Sequence, residues 1–146
     1  MPANSVPDQI LSAIAGLIPG AERGLQGAVT NVYTTGWDDA GVSTFGAVQA
    51  ALTVVVERRI DLGEEGIDFG SSGAESIRME HATDIMDLVL ADRTLSGLCR
   101  SIDPPVYEAV DREPGTNNTG VILTFTVQAA WDYGSSTTQT SVPRSA

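Results

Sequence analysis

Residues 75–131 read ESIRMEHATDIMDLVLADRTLSGLCRSIDPPVYEAVDREPGTNNTGVILTFTVQAAW, and this stretch decides the fold. Its first third has helical spacing. Ala82, Ile85, Met86 and Val89 share one face, with Ile77 and Leu88 at the margins. Glu75, Glu80, Asp84 and Asp87 lie mostly on the other side. This pattern predicts a helix over 74–91. Asp92-Arg93-Thr94 breaks it, and Leu95, Leu98 and Ile102 carry a shorter apolar series to Pro104-Pro105. Gly97 lets the chain bend there, or approach another backbone closely. Val106 to Val110 then begins a strand pair. The turn formers of Glu113 to Gly120 predict a hairpin loop. Val121 to Trp131 alternates: Val121, Leu123, Phe125, Val127, Ala129 and Trp131 face one way, Ile122, Thr124, Thr126, Gln128 and Ala130 the other.

Upstream the same logic gives a helix over Asp8 to Leu17. Ile10, Leu11, Ile14, Leu17 and Ile18 form its buried face, and Pro19-Gly20 stops it. Pro7 suits the cap region, and Asp8 faces the positive end of the helix dipole. Gly27 to Tyr33 is a short alternating run. Ala47 to Glu57 is a clear strand, which Arg58-Arg59 extends toward Ile60-Asp61-Leu62. Two segments read as loops by composition, Gly36–Gly46 and Gly63–Gly73. The second, with Glu64, Glu65 and Asp68, is long enough to suggest a contact arm. Trp37, beside Asp38 and Asp39, reads equally as a partner contact or as a cap on the core. The expected fold is α+β, a small twisted, mostly antiparallel sheet packed by two helices. It forms one domain over 1–132, followed by a flexible Ser/Thr-rich tail over 133–146.

A chain of 146 residues suits one domain, and 42% hydrophobic with 18% charged residues is ordinary globular composition. No apolar run approaches the ~20 residues needed to cross a bilayer. Asp8 and Gln9 interrupt the N-terminal apolar stretch early, so no signal peptide is expected. The net charge is −11, and all basic residues are Arg. Such a chain lacks the clustered cations that neutralise phosphates, which argues against nucleic-acid binding.

Catalytic and metal-binding patterns are not evident. His81 is the sole histidine, and no motif sets a Ser or an acid beside it. Cys99 is the sole cysteine, so an internal disulfide is impossible, and a packing role is expected for it. Asp38-Asp39 and Glu64-Glu65 do not have the spacing of a calcium-binding loop and read as solvated charge. The expectation is a non-enzyme without cofactor or metal.

One segment carries a family likeness. Asp84-Ile85-Met86-Asp87-Leu88-Val89-Leu90-Ala91-Asp92-Arg93-Thr94-Leu95-Ser96-Gly97 resembles the helix and Asp-x-Thr-Leu-x-Gly turn of tail terminator (tail completion) proteins of long-tailed bacteriophages. Gly120 to Val127 is similar in character to that family's final strand, and the element order over Asp8 to Trp131 follows its layout. The resemblance implies a small ring-forming α+β subunit, commonly in six copies, on the last ring of the tail tube. There it halts tube polymerisation and joins the tail to the head connector. Its partners would be copies of itself, the major tail tube protein and the head connector or stopper. Genome DNA would pass through the lumen without specific binding, part of the acidic charge lining the channel. The location implied is the virion tail or neck, after assembly in the host cytoplasm.

The interface residues expected on this reading are Trp37, Asp38, Asp39, Arg58, Arg59, Glu64, Glu65, Asp68, Glu113, Asn117 and Asn118. The acidic 63–73 segment and the Ser/Thr-rich tail depart from the family pattern, leaving another neck or tail ring component open as the station. Two other classes compete: a soluble intracellular domain that uses the same sheet to bind a peptide or small ligand, and a hydrolase built around His81.

Overall fold

The computed structural model describes residues 5–39, 47–63, 72–110 and 117–132. In chain order the elements are α1 (Val6–Leu17), β1 (Ala21–Arg23), β2 (Thr30–Asp39), β3 (Ala47–Asp61), α2 (Ser72–Leu90), β4 (Ser101–Ile102), β5 (Val106–Val110) and β6 (Asn118–Asp132). Over the described residues the fold is α+β, a six-stranded, mostly antiparallel open sheet with two helices.

The sheet is organised by β3 and β6. Both are 15 residues long, and they pair antiparallel from Ala47↔Asp132 to Asp61↔Asn118 in unbroken register. That register sets Leu52 beside Val127, Val54 beside Phe125 and Val56 beside Leu123. Alternation sends all of these to one face, where each is fully buried. Both helices close over this face. From α1 come Val6, Ile10 and Ile14, and from α2 come Ala82, Ile85 and Val89. Val55 and Ala130, also buried, lie outside this core because alternation turns them to the opposite face.

The remaining strands extend the sheet outward. β2 pairs antiparallel with β3, and β1 runs parallel to β2 only along Thr30–Val32. On the other side, β4 and β5 occupy successive stretches of one β6 edge. Pro104-Pro105 separates them, because proline has no N–H to give to the ladder. Arg100 and Asp103 donate backbone N–H groups to Gln128 and Thr126 before this break.

α1 begins where Ser5 Oγ accepts the Asp8 N–H at 3.3 Å. Asp8 also meets Arg23 at 2.6 Å, joining α1 to β1. α2 ends in a turn centred on Asp92. Its Oδ1 accepts from Thr94 N–H (3.1 Å) and Thr94 Oγ1 (2.9 Å), and its Oδ2 accepts from Ser96 N–H (2.7 Å). The carboxylate thereby holds Leu95 (φ 51°) and Ser96 (φ 59°) left-handed, ahead of Gly97 (φ 89°). Leu95 and Cys99 then drop into the core.

Several expectations need correction. The alternating run expected over 27–33 begins at Thr30 and continues to Asp39, so Gly36, Trp37, Asp38 and Asp39 are strand, not loop. The cause is a bulge between Thr34 and Gly36. Thr34 Oγ1 accepts the Gly36 N–H at 3.0 Å and donates to the Thr53 carbonyl at 2.7 Å, while Gly36 takes φ 118°. A glycine read as a strand terminator instead absorbs one extra residue. Similarly, Asn118, Thr119 and Gly120 belong to β6 and not to the hairpin loop. β1 and β4 were not foreseen, being two or three residues long with no alternation to detect.

Candidate interaction surface

Chemistry-bearing side chains are scattered by this fold. Among the described residues, no group of three or more His, Cys, Asp or Glu is placed to hold a metal ion. Cys99 is buried, its Sγ 3.5 Å from the Arg93 carbonyl. Burial, and secondarily the Asp92 charge, pushes its thiol up to about 12, so it stays protonated at neutral pH. His81 Nδ1 lies 3.4 Å from Arg58 Nη1. Arg58 also donates from Nε to Thr30 Oγ1 at 2.9 Å, and Asp84 lies close enough to favour its charge. Its own burial acts first, lowering the guanidinium from its ordinary value. This cluster ties the end of β3 to α2.

Arg58 and Arg59 therefore part company. Arg58 opposes Thr30 and Val121 on the helix side, whereas Arg59 is exposed and alternates to the opposite face. Asn118 opens β6 opposite Asp61, and the Asn117 carbonyl accepts the Leu62 N–H at 2.9 Å. Trp37 stands across from Leu52 on the helix side. Its ring meets Trp131 edge-on, with centroids 5.5 Å apart and planes at 87°. It is nonetheless 51% exposed, so it caps the core and also offers a free aromatic face. Asp38 is exposed on the same strand. Only the backbone of Asp39 is described, and Glu64, Glu65, Asp68 and Glu113 lie outside the described residues, as does 133–146.

What the elements do bring together is an unsaturated sheet. Its second face presents Tyr33, Ala51, Thr53, Glu57, Ile122, Thr124 and Thr126, all partly exposed. Tyr33 Oη donates to Glu57 at 3.0 Å; its burial, then this bond and the Glu57 charge, raise its pKa. Toward one end, Ala28, Asn31, Glu57, Arg59, Val110 and Ile122 border a groove of about 300 Å³.

Among the described residues, both sheet edges are open as well. All of β5 is exposed, with Val106 at 71% and Tyr107 at 42%. This edge lacks the lysines, internal proline or bulge that usually guard an unpaired strand. At the opposite edge, among the described residues, β1 covers only the first three residues of β2.

Backbone direction is fixed at each edge. Asp103 and Arg100 donate to Thr126 and Gln128, so even-numbered β6 residues turn toward β4 and β5. Their partners Val106, Glu108 and Val110 point inward, and Tyr107 and Ala109 point out. The Val110 carbonyl agrees, accepting from Thr119 Oγ1 at 2.7 Å. Thr53 turns its carbonyl to β2, so Leu52 faces β6 and its partner Trp37 faces outward.

Val106–Val110 is one arm of a hairpin with β6, as expected, but its role as an exposed, largely apolar sheet edge is not among the expectations. The absence of any charge but Glu108 along it was the available signal. In comparisons with known proteins, no family model matches this chain and no curated protein matches it.

Proposed function

We propose that this chain is a structural subunit that assembles with its own copies into a ring at the head-proximal end of a long phage tail. It ends tail tube polymerisation and joins the tail to the head connector, with DNA passing through unbound. The role is mechanical, and six copies are the expected number. The observation that carries this reading is a sheet whose two edges are open among the described residues, with exposed Trp37 on one and Val106 and Tyr107 on the other. Supporting it is the likeness of Asp84 to Gly97 to the tail terminator turn, in which Asp92, Thr94, Ser96 and Gly97 each have a definite task.

Light scattering and native mass spectrometry on the purified chain test the proposal. A discrete multimer is expected, alone or with tail tube protein, and rings by electron microscopy. A chain that stays monomeric with tail tube protein present would defeat it. The groove beside Asn31, Glu57 and Arg59 favours a second reading, a domain that binds a peptide or small ligand. A monomer that holds such a ligand there would establish it.

A further inference from the structure

We infer that copies of this chain join edge to edge, β5 of one copy pairing antiparallel with β2 of the next, with Tyr107 opposite Trp37 of the neighbouring copy. The proposed function contributes only the premise that copies associate.

Strand direction comes first. β2, β3, β6 and β5 alternate strictly, each antiparallel to its neighbour. With an even number of alternating strands, a second copy in the same orientation sets its β2 antiparallel to the first copy's β5. The sheet then continues without reversal. This head-to-tail contact uses two different surfaces and can be repeated, as closing a ring requires.

Register follows from three constraints. Outward backbone groups must meet outward ones, which limits the β5 partners of Trp37 to Tyr107 and Ala109. Side chains must stay on a common face, and both candidates satisfy this: Trp37 shares the face of Leu52, while Tyr107 and Ala109 share that of Leu123 and Val121. Charge decides between them. Placing Trp37 opposite Ala109 would set Asp38 against Glu108, and like charges directly opposed destabilise a sheet. Placing it opposite Tyr107 sets Asp38 against Val106 and Glu108 against Gly36. Two half-exposed aromatic rings then cover one another.

The same argument disfavours a twofold dimer through β5 alone. Its most overlapped register, Tyr107 against Ala109 in both directions, puts Glu108 against Glu108 in a chain already at −11.

Disulfide trapping tests the register. Asp38 and Val106, exposed in the single chain, become a directly opposed pair across the junction. The double variant Asp38→Cys/Val106→Cys, once oxidised, is expected to give a ladder of cross-linked multimers on a non-reducing gel. A mixture of the two single variants should stop at a linked pair. Each single variant alone should stay unlinked, with native Cys99 present throughout as the control.

Ala109→Pro tests the edge independently, because it removes an outward N–H and leaves the bonds to β6 in place. It should abolish the multimer seen by light scattering while leaving the far-ultraviolet circular dichroism unchanged. If the parent chain assembles but the double variant does not cross-link, or a folded Ala109→Pro keeps its multimeric mass, the edge pairing is wrong and the assembly reading stands. A parent chain that stays monomeric, together with a double variant that fails to cross-link, overturns both.

Discussion

Asp92 shows how one side chain sets a local path. Its carboxylate accepts from Thr94 and Ser96, which hold Leu95 and Ser96 in a backbone region that non-glycine residues seldom occupy. The Thr94 and Ser96 N–H groups, then the Thr94 hydroxyl, hold the Asp92 carboxyl below its ordinary value. A carboxylate with a depressed folded value stabilises the fold fully above its unfolded value and loses that contribution as pH falls through the folded one. The pH titration of the Ser96 amide by NMR should therefore show a midpoint below that of an ordinary aspartate. Asp92→Ala should remove that titration and release Leu95 from the core. A Ser96 midpoint at or above the ordinary aspartate value would show that these bonds do not form.

At the scale of elements, the β3–β6 pair governs the sheet, and Gly120 marks a close approach within it. A Cβ at Gly120 would lie 2.6 Å from the Arg58 carbonyl oxygen, a backbone atom that cannot swing away. Gly120→Ala should thus force the strands apart beside Arg59, at a cost of about 1–3 kcal/mol. Urea unfolding followed by tryptophan fluorescence would measure it, and an unchanged midpoint would refute the close approach. The bulge in β2 has the opposite character. It accommodates its extra residue through Thr34 and Gly36, letting the strand reach Asp39 and carry Trp37 to the sheet margin.

For the whole molecule, the governing fact is a net charge of −11 on a subunit proposed to meet its own kind. Copies repel through water until salt screens them, and the screening length falls from about 30 Å at 0.01 M to about 8 Å at 0.15 M. Sheet-edge contacts are short-ranged and apolar, so salt weakens the repulsion more than the attraction. The weight-average mass from light scattering should therefore rise between these two salt concentrations. A fall in mass with added salt would mean that the junction is held by opposite charges instead.

Much of this architecture was legible in the residues themselves, and the reason is periodicity. The alternation of Val48 to Val56 and of Val121 to Trp131 named the buried face, and Ala82, Ile85 and Val89 named the helix stripe that covers it. Those patterns determined an α+β sheet with two helices, because burial acts on every second residue of a strand and every third or fourth of a helix. Tertiary structure alone decided the rest. Whether Gly36 ended β2 or bulged within it depended on the Thr53 carbonyl, contributed from 17 positions along the chain. The outward turn of the Trp37 and Tyr107 backbone groups follows from which edges neighbouring strands had already taken. Hydrogen-bond direction is a property of pairs of strands, and a single strand's sequence does not contain it.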